Sequence, residues 1–150
     1  MTSQFDFTNN EWSDIATLPI LAGYAIARAA DSGRVGTFIE IRTLGQHIRA
    51  KAPDNAARSL IEAVSTTDVR TRVDEFEDHS PELLADVTVK AAEEMSKVLD
   101  DKADHDESTA YKQWVFDIAY EVADAAKEDG VRISEAEAVL LGRLREALAL

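Results

Sequence analysis

Apolar residues recur at three- and four-residue steps along three long segments, and this spacing constrains the fold more than any other feature of the chain. A period of this kind places the apolar side chains on one face of an α-helix. The three stripes are Trp12, Ile15, Pro19, Ala22, Ile26 and Ala29; Leu83, Leu84, Val87, Ala91, Met95 and Leu99; and Tyr111, Trp114, Val115, Ile118, Val122 and Ala125. No segment sustains the apolar–polar alternation of a strand. The sequence therefore predicts an all-α fold.

Helix-start signals divide the chain into elements. Three segments, beginning at Thr8, Thr37 and Ser134, read Ser/Thr-x-x-Glu, the capping box in which hydroxyl and carboxylate each bind the other residue's amide. Ser80 before Pro81 is typical of an N-cap followed by a proline at the first helical position, and Ser108 is the expected start of the sixth helix. Together with the stripes, these signals predict about seven helices, at 9–30, 38–51, 54–64, 67–77, 81–103, 109–127 and 135–149.

Composition narrows the classes of protein. With 150 residues and 45% hydrophobic content, the chain is expected to be one globular domain over 1–150. It contains no cysteine, which excludes disulfides and thiol chemistry. The longest apolar stretch is interrupted by Pro19, and the N-terminus is polar, so neither a membrane span nor a signal peptide is expected. These features predict a cytoplasmic protein.

The negative charge is concentrated in the middle of the chain. The formal net charge is −13, and segment 74–107 holds thirteen acidic and three basic residues. Nucleic-acid binding requires basic surface that displaces phosphate counterions, so this class of partner is excluded. Three interpretations fit the acidic segment: it is a solvated face, it docks onto a basic partner, or it gathers divalent cations.

The two ends of the chain are related by a repeat. A shift of 97 residues superposes, among others, Gly33 on Gly130, Thr37 on Ser134, Glu40 on Glu137, Leu44 on Leu141 and Gly45 on Gly142. The predicted architecture is two pseudo-repeated helical hairpins around an acidic central helical region. Gly45 and Gly142 fall inside predicted helices, where glycine costs about 1 kcal/mol relative to alanine. Their repetition predicts a close approach of helices at both positions.

Acidic residues stand immediately before both hairpin turns. Asp31, Glu128 and Asp129 are at predicted helix C-termini, where the helix dipole disfavours negative charge. Residues that break a local rule are candidates for function. If the hairpins pack about a pseudo-twofold axis, these acids converge with Glu40 and Glu137. All-oxygen ligands of this kind suit Ca²⁺ or Mg²⁺.

A purely structural interpretation of the turns stays open. Gly33 and Gly130 are suited to the left-handed residue that ends a helix, and the capping boxes explain the residues that follow. An EF-hand is excluded, because counting from Asp31 puts Val35 at the fifth position and Arg42 at the twelfth, where oxygen ligands are needed.

The hairpin segments AIARAADSGRVGTFIEIRTL and VADAAKEDGVRISEAEAVLLGRL resemble the paired A-x-A-x-x-D-G-x-I-S-x-x-E hairpins of the TerB-like tellurite-resistance family. The helical pattern, length and acidity are similar as well. The resemblance implies that Asp31 and Glu40 in the first hairpin, and Asp129 and Glu137 in the second, are functional acids associated with a divalent metal. It also implies a non-enzymatic protein of stress-response assemblies at the inner face of the membrane. The chain departs from the family pattern where Ser32 separates the first aspartate from its glycine.

Two further functions fit the sequence. In one, the chain is an acidic protein–protein interaction module, with segment 74–107 docked on a basic protein and the hairpin turns purely structural. In the other, helix-borne carboxylates form a metal-dependent hydrolase. The chain contains no G-x-S-x-G, glycine-rich phosphate loop or H-E-x-x-H motif. The sequence therefore favours a binding protein over an enzyme.

Overall fold

The computed structural model describes residues 2–29, 43–48, 50–125 and 133–150, and within these ranges the chain is helical with no strand. A short 3₁₀ helix at Gln4–Asp6 precedes α1 (Asn9–Ala29), α2 (43–48), α3 (Arg58–Ser65), α4 (Arg70–Asp74), α5 (Pro81–Lys102), α6 (His105–Ala125) and α7 (Glu135–Ala147). The prediction of an all-α fold with about seven helices is confirmed.

The helix boundaries follow the capping signals. Thr8 and Glu11 form the predicted box, with Glu11 N donating to Thr8 Oγ1 at 3.2 Å and Thr8 N donating to Glu11 Oε2 at 2.8 Å. Ser80 Oγ accepts from Leu83 N at 3.2 Å at the start of α5. The capping box at Ser134 begins α7. The box predicted at Thr37 lies outside the described residues.

The predicted start of the sixth helix at Ser108 is wrong, because α6 begins three residues earlier at His105. The Ser108 amide already donates to the Asp104 carbonyl, as in a continuous helix. Its hydroxyl donates instead to Asp100 Oδ1 at 2.7 Å, on the preceding helix. Ser108 therefore links α6 to α5 through its side chain and does not cap a helix.

The α1 helix is the centre of the packing, since it contacts α3, α4, α5, α6 and α7. Most of its residues between Ile15 and Ala27 are buried. The face of α6 that carries Tyr111, Val115, Ile118 and Val122 is buried as well, in the same cluster of apolar residues. Along its buried stretch α1 is shielded from water, so the backbone groups there must be satisfied within the protein.

Pro19 lies inside α1 and supplies no N–H to the carbonyl of Ile15, four residues earlier. The Tyr111 hydroxyl fills this position, donating to the Ile15 oxygen at 2.7 Å. Tyr111 is fully buried, and burial raises its pKa far above the ordinary value, so the hydroxyl keeps the proton that it donates. One side chain of α6 thus completes the backbone hydrogen bonding of α1.

The expectation of close helix contacts at Gly45 and Gly142 is wrong. A Cβ at either position would meet no neighbouring atom within 4 Å among the residues that the structure describes. Gly142 is exposed because α7 turns the face with Leu140, Leu141 and Leu144 towards the core. The close approach is at Gly23 of α1, where a Cβ would lie 3.0 Å from Leu44 Cδ2.

Two polar contacts hold the C-terminal end of α5, one to α6 and one to α1. Lys112 Nζ of α6 donates to Asp100 Oδ1 of α5 at 2.6 Å, although the lysine side chain is only 5% exposed. The hydrogen bond from Lys112, with that from Ser108, lowers the pKa of Asp100. Lys102 donates to Glu11 Oε2 at 2.6 Å and lowers the pKa of Glu11 in the same way.

We expect the Tyr111 contact to depend on Pro19. Tyr111→Phe leaves the Ile15 carbonyl without a donor and should reduce the free energy of unfolding by about 1–3 kcal/mol. In a Pro19→Ala background the alanine N–H reaches that carbonyl, so the same change should cost clearly less. Urea unfolding of the four proteins measures the coupling. Equal costs in both backgrounds, within about 0.5 kcal/mol, would contradict the account.

We also expect Asp100 to stabilise the fold only above acidic pH. Because its folded pKa is lowered below the ordinary 3.8, its contribution is full above that value and is lost as the pH falls through the folded pKa. Asp100→Asn should cost about 1–3 kcal/mol at neutral pH, since Lys112 loses its carboxylate. The difference between wild type and variant should shrink below about pH 4. A difference that is constant with pH would disprove this role.

Candidate functional site

The candidate metal ligands are divided between described and undescribed parts of the chain. Glu137 is in the first turn of α7. Asp31, Glu40, Glu128 and Asp129 lie outside the described residues, so their predicted convergence with Glu137 stays a prediction. The first helices of the two predicted hairpins begin at corresponding positions, since a shift of 97 residues moves Asn9, the start of α1, to 106, one residue from His105, where α6 begins.

Glu137 is held in place by the start of α7. Its Oε1 accepts from Ser134 N at 3.0 Å, and its own amide donates to Ser134 Oγ at 3.2 Å. The side chain is on the face of α7 that carries Leu140 and Leu141 and is 2% exposed. The partial positive charge of the helix N-terminus attracts an acidic side chain in the first turn.

The second oxygen of this carboxylate has no donor. Glu137 Oε2 is buried and has no hydrogen-bond partner among the described residues. Leaving a buried polar atom without a partner is costly, and more so when the group is charged. A carboxylate oxygen in this state has free acceptor capacity for a hydrogen-bond donor or a cation.

Glu11 is the third helical residue of the α1 capping box, as Glu137 is of the α7 box, but its second oxygen has donors. Its Oε2 accepts both from Thr8 N at 2.8 Å and from Lys102 Nζ at 2.6 Å. A capping box therefore does not require an unpartnered oxygen. The missing donor at Glu137 Oε2 is therefore not a consequence of the capping box itself.

Glu107 is a buried acid that the sequence did not reveal. Thr2 N donates to both of its carboxylate oxygens, at 3.1 and 3.2 Å, and the Thr2 hydroxyl donates to Oε2. The other twelve acids of segment 74–107 are exposed. Glu107 precedes Tyr111 and Trp114 by four and seven residues, which places it on the apolar stripe of α6. This spacing is the feature of the sequence that could have predicted the burial of Glu107.

No complete metal centre is found in the described residues: no three histidine, aspartate or glutamate side chains there are placed to hold an ion. Glu137 is the one predicted ligand whose surroundings are known. A metal ion at Glu137 would take its other protein ligands from the remaining predicted acids.

Comparison of the chain with protein families, with curated proteins and with solved structures gives no match. No helix in the described ranges is long and apolar enough to cross a membrane.

Proposed function

We propose that this chain is a non-enzymatic, TerB-like protein of the tellurite-resistance type that binds a divalent metal ion through acids of its two repeated hairpins. The proposed ligands are Asp31, Glu40, Glu128, Asp129 and Glu137. The observation that carries the proposal is the buried Oε2 of Glu137, which lacks a hydrogen-bond donor among the described residues.

The chemistry of the donor set favours Ca²⁺ or Mg²⁺. Both are hard cations that take oxygen ligands, and carboxylates supply them. At Glu137 one oxygen is bonded to the Ser134 amide, which fixes the rotation of the carboxylate and leaves the other oxygen for the ion. An ion there would neutralise a charge that the described surroundings leave unpartnered.

The biological setting of the proposal rests on the resemblance of the hairpin segments. We infer a cytoplasmic role in stress response, in which the protein acts with a protein partner in an assembly at the inner face of the membrane. The helices that flank both predicted turns and the acidity of the chain support this interpretation. Neither membrane insertion nor nucleic-acid binding is part of the proposed role.

We expect millimolar Ca²⁺ or Mg²⁺ to raise the melting temperature of chelator-treated protein in a saturable way. A ligand at 100 times its dissociation constant adds about 2.7 kcal/mol. For a domain of this size the corresponding rise is roughly 5–10 °C. Ionic strength must be kept constant, because any cation screens a net charge of −13 and stabilises the fold without a site.

Two glutamine variants separate the metal site from the cap. Glu137→Gln keeps a residue that can complete the capping box but removes the ligand charge, so most of the metal-induced rise should be lost. Glu11→Gln makes the same change in the equivalent box of α1 and should leave the rise intact. Equal rises in wild type and both variants, or no rise in wild type, would refute the proposed site.

A further inference from the structure

A groove of about 790 Å³ runs along the surface between α5 and α7. Its apolar lining consists of Ala29, Pro81, Ala85, Ala136, Val139 and Leu140. Leu140 is buried and Val139 is 57% exposed, so the lining extends the hydrophobic core to the surface. The alanines contribute little volume, which leaves the space between the two helices open.

Val139 is unusual for a solvated helix face. Valine is a weaker helix former than alanine, glutamate or lysine, so local preference does not explain it at an exposed position. Exposed apolar side chains are common singly, but here Val139 adjoins an apolar groove. Val139 and the groove together offer an apolar surface that a side chain of another molecule can cover.

The rim of the groove is acidic. Glu82 and Glu135 are exposed and have no ion-pair or hydrogen-bond partner among the described residues. Asp86 is paired with Arg143, whose Nη2 is 2.9 Å from Asp86 Oδ1. The charged lining therefore consists of three carboxylates and one guanidinium, within a chain of net charge −13.

We propose that this groove binds an amphipathic, basic α-helix of a partner protein. The channel between two helices is suited to the side-chain ridge of a third, and an apolar ridge at i, i+3/i+4 and i+7 would cover Val139 and the alanines. Lysine or arginine residues beside that ridge would face Glu82 and Glu135. Glu137, the one proposed metal ligand in the described residues, does not line the groove, whereas Ser134, whose amide donates to Glu137 Oε1, does.

The charge argues for a basic partner and against a second copy of this chain. Two copies that meet through this surface would bring together acidic rims on molecules of net charge −13. Like charges opposed across an interface weaken association, whereas complementary charges speed encounter and select the partner.

A synthetic helical peptide tests the proposal on the full chain. The peptide carries leucines at i, i+3/i+4 and i+7 with lysines on the flanking positions and a fluorescent label, and a scrambled peptide of the same composition keeps the charge without the apolar face. Fluorescence anisotropy should show that the scrambled peptide binds at least about tenfold more weakly, or about 1.4 kcal/mol. Chelator should leave the affinity unchanged, so failure of the metal proposal does not affect this test.

Two alanine positions on α7 supply matched variants. Ala136 lines the groove, whereas Ala138 is exposed outside it, and glutamine is a good helix former at both. Ala136→Gln should weaken peptide binding at least about tenfold, and Ala138→Gln should change it less than about twofold, with unchanged circular dichroism in both.

Three results would overturn the proposal. One is equal affinity of the two variants, which indicates adsorption to the acidic surface in general. Another is the absence of binding by the wild-type protein. The third is a dimer in sedimentation that Ala136→Gln dissociates, which would make a second copy the occupant.

Discussion

The hydrogen bond from the Tyr111 hydroxyl to the Ile15 carbonyl is the contact on which the rest of this structure depends. Pro19 lets α1 continue but leaves a carbonyl without its helical donor, in a helix that packs against most of the others. Tyr111 supplies that donor from α6 and so fixes which residues of the two helices face each other. The apolar stripes bring the helices together, and this polar contact favours one position of α6 along α1, because a shift would leave the buried Ile15 carbonyl without a donor.

Buried polar groups elsewhere in the described residues mostly have partners. Glu107 accepts from Thr2, and Lys112 donates to Asp100, so these two buried charges are hydrogen-bonded. Two buried side-chain atoms depart from this pattern in the described residues: Arg72 Nε has no acceptor and Glu137 Oε2 has no donor. Of the two, only the glutamate oxygen can bind a cation. A buried carboxylate oxygen without a donor breaks a local rule of hydrogen bonding and is therefore a candidate for function. Metal binding is the role that we propose for it.

The fold was predictable to a large extent because helix periodicity and capping act over a few residues. The α1, α5 and α7 boundaries follow from Thr8, Ser80 and Ser134. Contacts between distant segments were not predictable in this way. Tyr111 appeared only as one member of an apolar stripe, and Gly45 and Gly142 were assigned a packing role that belongs to Gly23. For the site, the sequence identified Glu137 and its cap but contained no signal for the isolation of its second oxygen.

The most direct test of the proposed function is to locate the ion. Mn²⁺ takes the same carboxylate oxygens as Ca²⁺ and Mg²⁺ and broadens the NMR signals of nearby nuclei. Titrated into ¹⁵N-labelled protein, it should first remove the amide signals of Ser134 and Glu137, leave those around Glu11 unchanged, and be displaced by excess Mg²⁺ or Ca²⁺. Signals lost first along the exposed acids of α5, such as Glu93 and Glu94, would show general attraction of cations and contradict the account.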